Sequence, residues 1–345
     1  MKKLIYILLL LCLYSCSSNT KYESFNAMFA SKPYSKVKTI PAFPELNKLI
    51  NYPKRFLISN NSVVICSRDE DTLVLVEDRN TKSITKIITT GQGPKDIIDI
   101  SNICSENGLL YIMGFYERKM LVYDEINKNI EEDTSIRNTL LKYICSTEFK
   151  YDSDNFICSM VENDDRFLLK NQDTVVTFGK IAPFDDYTSV DIGWILQSAF
   201  DINKKQKRVF WCSGIGDVYG IYDYSDIYNI KTINESILKF PIRSIEDKRA
   251  STDETMFATY NITSNDDYVF MLFSGKTFKD INLANQDAIY DSKYIFVFDW
   301  DGNPIKYIYT DHDIHSICFD NKDNKLYGIE LNNEYEYSIC EIPLE

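Results

Sequence analysis

The 345-residue sequence predicts an all-β fold, a six-bladed β-propeller closed by an N-terminal strand. Three observations predict it. Short runs rich in Val, Ile, Tyr and Phe alternate with clusters of Asp, Asn, Gly and Lys along nearly the whole chain. No long segment carries clean helical periodicity. The runs also fall into groups spaced at roughly 40 to 50 residues, the length of a four-stranded blade.

The first group contains 56–59, 62–67, 72–77 and 83–89. The second starts near Ile100 and includes 109–113 and 119–124. The third includes 155–161, 166–170 and 174–178, and the fourth 194–200, 208–213 and 218–224. The fifth includes 268–274, 293–299 and 304–310, and the last 314–319, 325–330 and 336–342. Two groups superpose on each other as sequences. Ile100-Ser101-Asn102-Ile103-Cys104-Ser105 precedes Gly108-Leu109-Leu110-Tyr111-Ile112, much as Ile314-His315-Ser316-Ile317-Cys318-Phe319 precedes Lys325-Leu326-Tyr327-Gly328-Ile329. The last group is one strand short. Val37-Lys38-Thr39-Ile40 is expected to supply that strand from the other end of the chain, leaving no open edge between first and last blades. A pair of β-sandwiches or a seven-bladed ring would also accommodate the pattern.

The N-terminus reads as an export signal. Lys2 and Lys3 precede an uncharged apolar run, Leu4 to Leu13, too short to span a bilayer comfortably. The run ends in Leu13-Tyr14-Ser15-Cys16, which resembles the lipobox of bacterial lipoproteins, with Tyr14 bulkier than the usual second residue. The resemblance implies cleavage before Cys16 and lipid on that cysteine. Residues 1–15 are then a signal peptide, 16–36 a polar tether and 37–345 the propeller. Two or more acyl chains make such an anchor stable, because each buried CH₂ contributes ~0.8 kcal/mol. The expected location is the cell envelope, most simply the outer membrane.

The net charge of −13 falls to −15 once Lys2 and Lys3 are removed. Such a chain should repel nucleic acid and anionic lipid head groups, so the lipid alone is expected to make the membrane contact. Seven of the nine cysteines lie beyond Cys16, an odd number with no C-x-x-C pair. Most sit inside apolar runs and read as small buried hydrophobes, although an exported chain could hold a disulfide.

Phe273-Ser274-Gly275-Lys276, Val297-Phe298-Asp299-Trp300-Asp301-Gly302-Asn303-Pro304 and Lys325-Leu326-Tyr327-Gly328 resemble the C-terminal half of the TolB-like six-bladed propeller lipoproteins of Bacteroidota. Gly91-Gln92-Gly93-Pro94-Lys95-Asp96 resembles that family's Gly-x-Gly-Pro-x-acid loop, with Asp96 where Glu is more usual. The resemblance covers most of the chain after Cys16 and is weakest in blades three and four. It implies the fold and an envelope location, and little about function.

Three motifs carry candidate chemistry. Asp299-Trp300-Asp301-Gly302 lacks the further carboxylates of a calcium loop and reads as a hairpin turn. Gly91, Gln92, Gly93, Lys95 and Asp96 could offer backbone N–H groups to an anion, but no helix or Gly-Lys-Thr context follows, and the glycines are expected to permit positive φ in an inter-blade turn. Asp311, His312, Asp313 and His315 hold the only two histidines and could bind a divalent metal or act as an acid–base pair. Propeller topology should bring these loops, the 276–292 insertion and Tyr187 with Trp194 to one face, where Tyr and Trp suit a sugar or a peptide. His315, at the start of a first strand, should look into the central channel, with Asp311 and His312 on its rim. No cofactor motif is present. The sequence therefore points to an envelope binding module for a glycan, a peptide or another envelope protein. The alternative is a hydrolase or lyase using the Asp/His group, with or without a metal.

Overall fold

The structure is a computed structural model. It describes residues 23–67, 72–114, 116–143, 145–152, 155–161, 163–180, 197–239, 256–280, 291–332 and 336–344. Cys16, Tyr187 and Trp194 lie outside the described residues.

Twenty-four strands follow in order: β1 (Tyr34–Val37), β2 (Ile40–Pro41), β3 (Pro53–Ile58), β4 (Ser62–Ser67), β5 (Val74–Asp78), β6 (Ile84–Ile88), β7 (Ile100–Glu106), β8 (Leu109–Gly114), β9 (Lys119–Asp124), β10 (Ile130–Glu132), β11 (Cys145–Asp152), β12 (Asn155–Met160), β13 (Asp165–Asn171), β14 (Thr174–Lys180), β15 (Ser198–Asn203), β16 (Arg208–Ser213), β17 (Asp217–Asp223), β18 (Lys231–Lys239), β19 (Ile262–Ser264), β20 (Tyr268–Phe273), β21 (Ser292–Asp299), β22 (Pro304–Asp320), β23 (Lys325–Leu331) and β24 (Tyr337–Ile342). Four of the sheets are four-stranded antiparallel meanders: β3–β6, β7–β10, β11–β14 and β15–β18. The fifth sheet joins two blades through the 17-residue strand β22. Its first half pairs with β21 and completes blade five, and its second half pairs with β23 and begins blade six.

Alternate side chains of one strand enter different cores, which explains why strands such as Ser62–Ser67 are buried at every position. Val64 and Cys66 pack against Ile103, Leu110 and Ile112 of blade two. Their neighbours Val63 and Ile65 pack against Tyr327, Ile329 and Ile339 of blade six. The same division produces one apolar cluster between each pair of adjacent blades, six in all among the described residues. First strands touch in cyclic order, from β3 through β7, β11, β15 and β19 to the second half of β22 and back to β3. The ring therefore has six blades. The six described cysteines after Cys16 are buried and unpaired, filling these cores as small hydrophobes.

Closure differs in register from the expected Val37–Ile40 strand. The segment divides between two blades. Tyr34–Val37 runs parallel to the first half of β22, with Val37 opposite Thr310, as a fifth strand on blade five. Ile40 and Pro41 pair with Glu341 and Cys340 of β24 and supply the missing fourth strand of blade six. Thr39 sits at the step between them. Its N–H and hydroxyl donate to Asp311 Oδ1 at 2.9 and 3.2 Å, and its hydroxyl also lies 2.6 Å from Glu330 Oε2.

The docked chain also begins earlier than the expected boundary at residue 37. A short helix, Phe25–Phe29, is capped by the Ser24 hydroxyl. It buries Phe25, Met28 and Phe29 in the core between blades four and five. Phe29 stacks on Phe296 at 4.1 Å, and Phe25 meets Phe273 edge-on at 5.7 Å. Each such side chain contributes about 1.5–3 kcal/mol through burial, enough to hold a five-residue helix that has little stability of its own. A longer helix that the strand pattern did not announce, Thr134–Lys142, follows β10 and buries Ile136, Thr139 and Leu140.

Candidate functional site at the channel mouth

The first strand of every blade starts on the same face, because the strands within a blade alternate in direction. Gly91–Asp96 lies in the crossover from β6 to β7. Asp311–Asp313 lies in the crossover midway along β22. Both therefore emerge on the face where the first strands begin.

The Gly91–Asp96 loop is closed on itself. The Asp96 carboxylate accepts from the Gly93 N–H at 3.1 Å and from the Thr89 hydroxyl at 2.6 Å. Lys119 Nζ donates to the carbonyls of Gly93, Pro94 and Asp96 at 2.8–3.3 Å. Neither Gly91 nor Gly93 has positive φ, contrary to expectation. Glycine is needed there because the Asp96 carboxylate folds back over the loop, leaving no room for a Cβ at either position. Gln92 and Lys95 are exposed.

Asp311 is part of the closure and not an unengaged rim acid. Burial works against its ionised form, but the hydrogen bonds from Thr39 outweigh it and hold the carboxyl below its ordinary range. His312 Nε2 lies 3.8 Å from Asp311 Oδ2. His315 takes a different carboxylate as partner: its Nδ1 is 2.7 Å from Oδ1 of the buried Asp291, just before β21. Among the described residues no group of three or more His, Cys, Asp or Glu side chains is arranged to hold a metal.

A cavity of about 270 Å³ opens at this mouth. It is lined by the start of β3 (Pro53, Lys54, Arg55, with Tyr52 before it), by Thr259, Tyr260 and Asn261 ahead of β19, and by His315 and Ser316 of β22. Gln197, Ser274 and Tyr337 contribute from further blades. Of the described residues named in the sequence as ligand-binding candidates, His315 is in this wall and Gly91, Gln92, Gly93, Lys95, Asp96, Asp311, His312 and Asp313 are not. The His315 ring meets that of Tyr337 edge-on at 5.4 Å.

Below the mouth, charged side chains pin the first strands together. Arg55 Nη2 pairs with Glu148 at 2.8 Å, while its other nitrogens donate to the carbonyls of Ser101 and Tyr260. This one guanidinium thus connects blades one, two, three and five. Asn102 donates to the same Glu148 at 2.8 Å. Burial pushes the Glu148 carboxyl up, with Arg55 opposing the shift. Lys150 pairs with Asp201 at 3.2 Å, and Ser264 donates to Asp201 at 2.8 Å. Burial disfavours the Lys150 ammonium, but Asp201 and Glu148 raise it above the ordinary lysine range.

Sequence reasoning missed Lys54, Arg55 and the Thr259–Asn261 turn. The available signal was a polar residue interrupting an apolar first strand at a recurring position, as with Arg55, Asn102, Glu148 and Asp201.

The fold and this mouth define a propeller scaffold of the interaction type, a ring with a concavity on its axis lined by both polar and apolar side chains. The chain belongs to the TolB-like 6-blade propeller-like family, whose model matches residues 34–322. Among solved structures it is similar to an assigned exported protein of Bacteroides fragilis, with TM-score 0.55 and 11% identity over 90% of this chain and 98% of that one. It is also similar to a DUF4221-family member from Bacteroides vulgatus, with TM-score 0.50 and 12% identity over 85% of this chain and 92% of that one. At these identities the likeness is one of fold. No curated protein matches the chain.

Proposed function

We propose that this chain is a cell-envelope lipoprotein, lipidated on Cys16, whose propeller binds a small polar ligand at the channel mouth, as a free molecule or as the end group of a glycan, peptide or envelope protein. The observation that carries the reading is the cavity itself. Side chains distant in sequence, from Tyr52 to Tyr337, converge there on about 270 Å³ of space. Three tyrosines in the wall provide flat apolar faces with polar tips, a surface that suits sugars and peptide ends. The lipobox-like run before Cys16 supports the anchor. The similarity to a Bacteroides protein assigned as exported agrees with an envelope location, and no described helix is long and apolar enough to cross a membrane.

Glycan and peptide arrays probed with the wild-type propeller, Tyr52→Ala and Tyr337→Ala test the binding reading. One ligand class should be retained by the wild type and lost by both variants. Binding that survives both substitutions would remove the channel mouth as the site. Radiolabelled fatty acid should enter the wild type and not Cys16→Ala.

A further inference from the structure

We propose that the propeller sits mouth-down on the membrane that anchors it, with the face carrying the channel mouth turned to the bilayer, because only seven positions separate Cys16 from Glu23 at the docked N-terminal helix. The inference rests on the lipid anchor at Cys16 read above and adds the orientation in which that anchor holds the cavity.

The docking of the helix fixes where the tether leaves the ring. The N–H of Phe25 donates to Asp217 Oδ2 at 3.1 Å. Asp217 is the first residue of β17, the third strand of blade four. Third strands run in the same direction as first strands, so β17 begins on the face where the channel opens. The end of β20, on the same face, supplies Phe273, whose ring lies 5.7 Å from that of Phe25. Leu272 and Ser274, on either side of Phe273, line the cavity. Ala258 lines it too and packs in the same core as Phe25. Ser24, which caps the helix, and the exposed Glu23 therefore stand on the mouth face.

The length of the tether then decides the orientation. Seven residues reach at most about 25 Å, at about 3.3–3.6 Å each. Strand β17 has seven residues and descends about 20 Å from the mouth face toward the opposite one. A chain bound for the opposite face must also pass outside β18, the outer strand of that blade, and clear the turns beyond. That route needs roughly 30 Å or more, beyond the tether's reach. A tether running from Cys16 to residue 36, as the sequence suggested, would reach about 70 Å and leave the ring free to turn. The burial of Phe25, Met28 and Phe29 removes that freedom. The cavity then opens toward the lipid surface, onto a gap no deeper than about 25 Å.

Energy transfer from the full-length lipoprotein, held in liposomes that carry a head-group-labelled acceptor lipid, tests this. A donor dye is placed on Gln92→Cys, in an exposed loop of the mouth face, or on Lys205→Cys, in the exposed β15–β16 turn of the opposite face. The six described cysteines after Cys16 are buried, and dye uptake by the unsubstituted protein serves as the blank. Transfer from Gln92→Cys should exceed that from Lys205→Cys. A flexible Gly-Ser insertion of about 20 residues between Cys16 and Glu23, which raises the reach to roughly 90 Å, should erase the difference. Equal transfer from the two sites, stronger transfer from Lys205→Cys, or a difference that survives the insertion overturns the proposal. Fatty-acid labelling separates the two readings. A labelled protein with equal transfer has lost only the orientation, whereas an unlabelled one has lost the anchor and the orientation with it.

Discussion

Nδ1 of His315 lies 2.7 Å from Oδ1 of Asp291, two residues brought together across the boundary between blades five and six. Asp291 is buried and fixes both the tautomer and the orientation of the ring. Nitrogen-detected NMR should show a proton on Nδ1 of His315, facing Asp291. Asp291→Ala should release the ring, change that signature and cost about 1–3 kcal/mol of stability. An unchanged tautomer in the variant would mean that Asp291 does not orient the imidazole.

The Thr39–Asp311 contact should matter for ring closure more than for chemistry. Asp311→Asn is expected to destabilise the propeller by about 1–2 kcal/mol at neutral pH while leaving ligand affinity unchanged. The folded-state carboxyl is held below its ordinary range, so its contribution is present above the unfolded-state value and is lost as pH falls through the folded one. The difference between wild type and variant in thermal unfolding should therefore shrink in acid. A difference that is constant with pH would refute the linkage.

Asp217 predicts the opposite dependence. It is fully buried, and its Oδ2 accepts from the N–H of Phe25, fastening the N-terminal helix. Burial pushes its carboxyl up to about 6, from an ordinary 3.8. Stability from this group is full below the unfolded value and is lost as pH rises through the folded one, with a span of about 3 kcal/mol. Asp217→Asn keeps an acceptor for Phe25 and removes the ionisation. Its melting temperature should exceed that of the wild type at pH 7.5 and converge with it near pH 4. A variant less stable at pH 7.5 would show that the ionised carboxylate is favourable.

Gly93→Ala should cost about 1 kcal/mol, because a Cβ there displaces the Asp96 carboxylate from the loop amide it caps. Asp96→Ala should then make Gly93→Ala nearly neutral in a double-mutant cycle of unfolding free energies. Additive effects would place the cause elsewhere.

The blades were legible in the sequence because each strand is short, rich in β-branched and aromatic residues and bounded by turn residues. The place of His315 in the cavity wall follows from its position at the start of a first strand, which lies near the axis. Phe25, Met28 and Phe29 were not legible. They lie in a polar segment, and their helix exists only because the groove between Phe273 and Phe298 accepts it. Asp311 looked available because its partner Thr39 is 272 positions away. Lys54 and Arg55 were hidden for the same reason. A Lys-Arg pair at a strand start signals nothing until Glu148, Tyr260 and His315 arrive from other blades.

The central claim is that ligands enter the ring at the channel mouth. A crystal structure of the propeller grown with the ligand class retained on the arrays tests it most directly. The account predicts ligand density inside the cavity, against the rings of Tyr52 and Tyr337. Density confined to the Gly91–Asp96 loop or the outer strands, with the cavity holding only solvent, would contradict it.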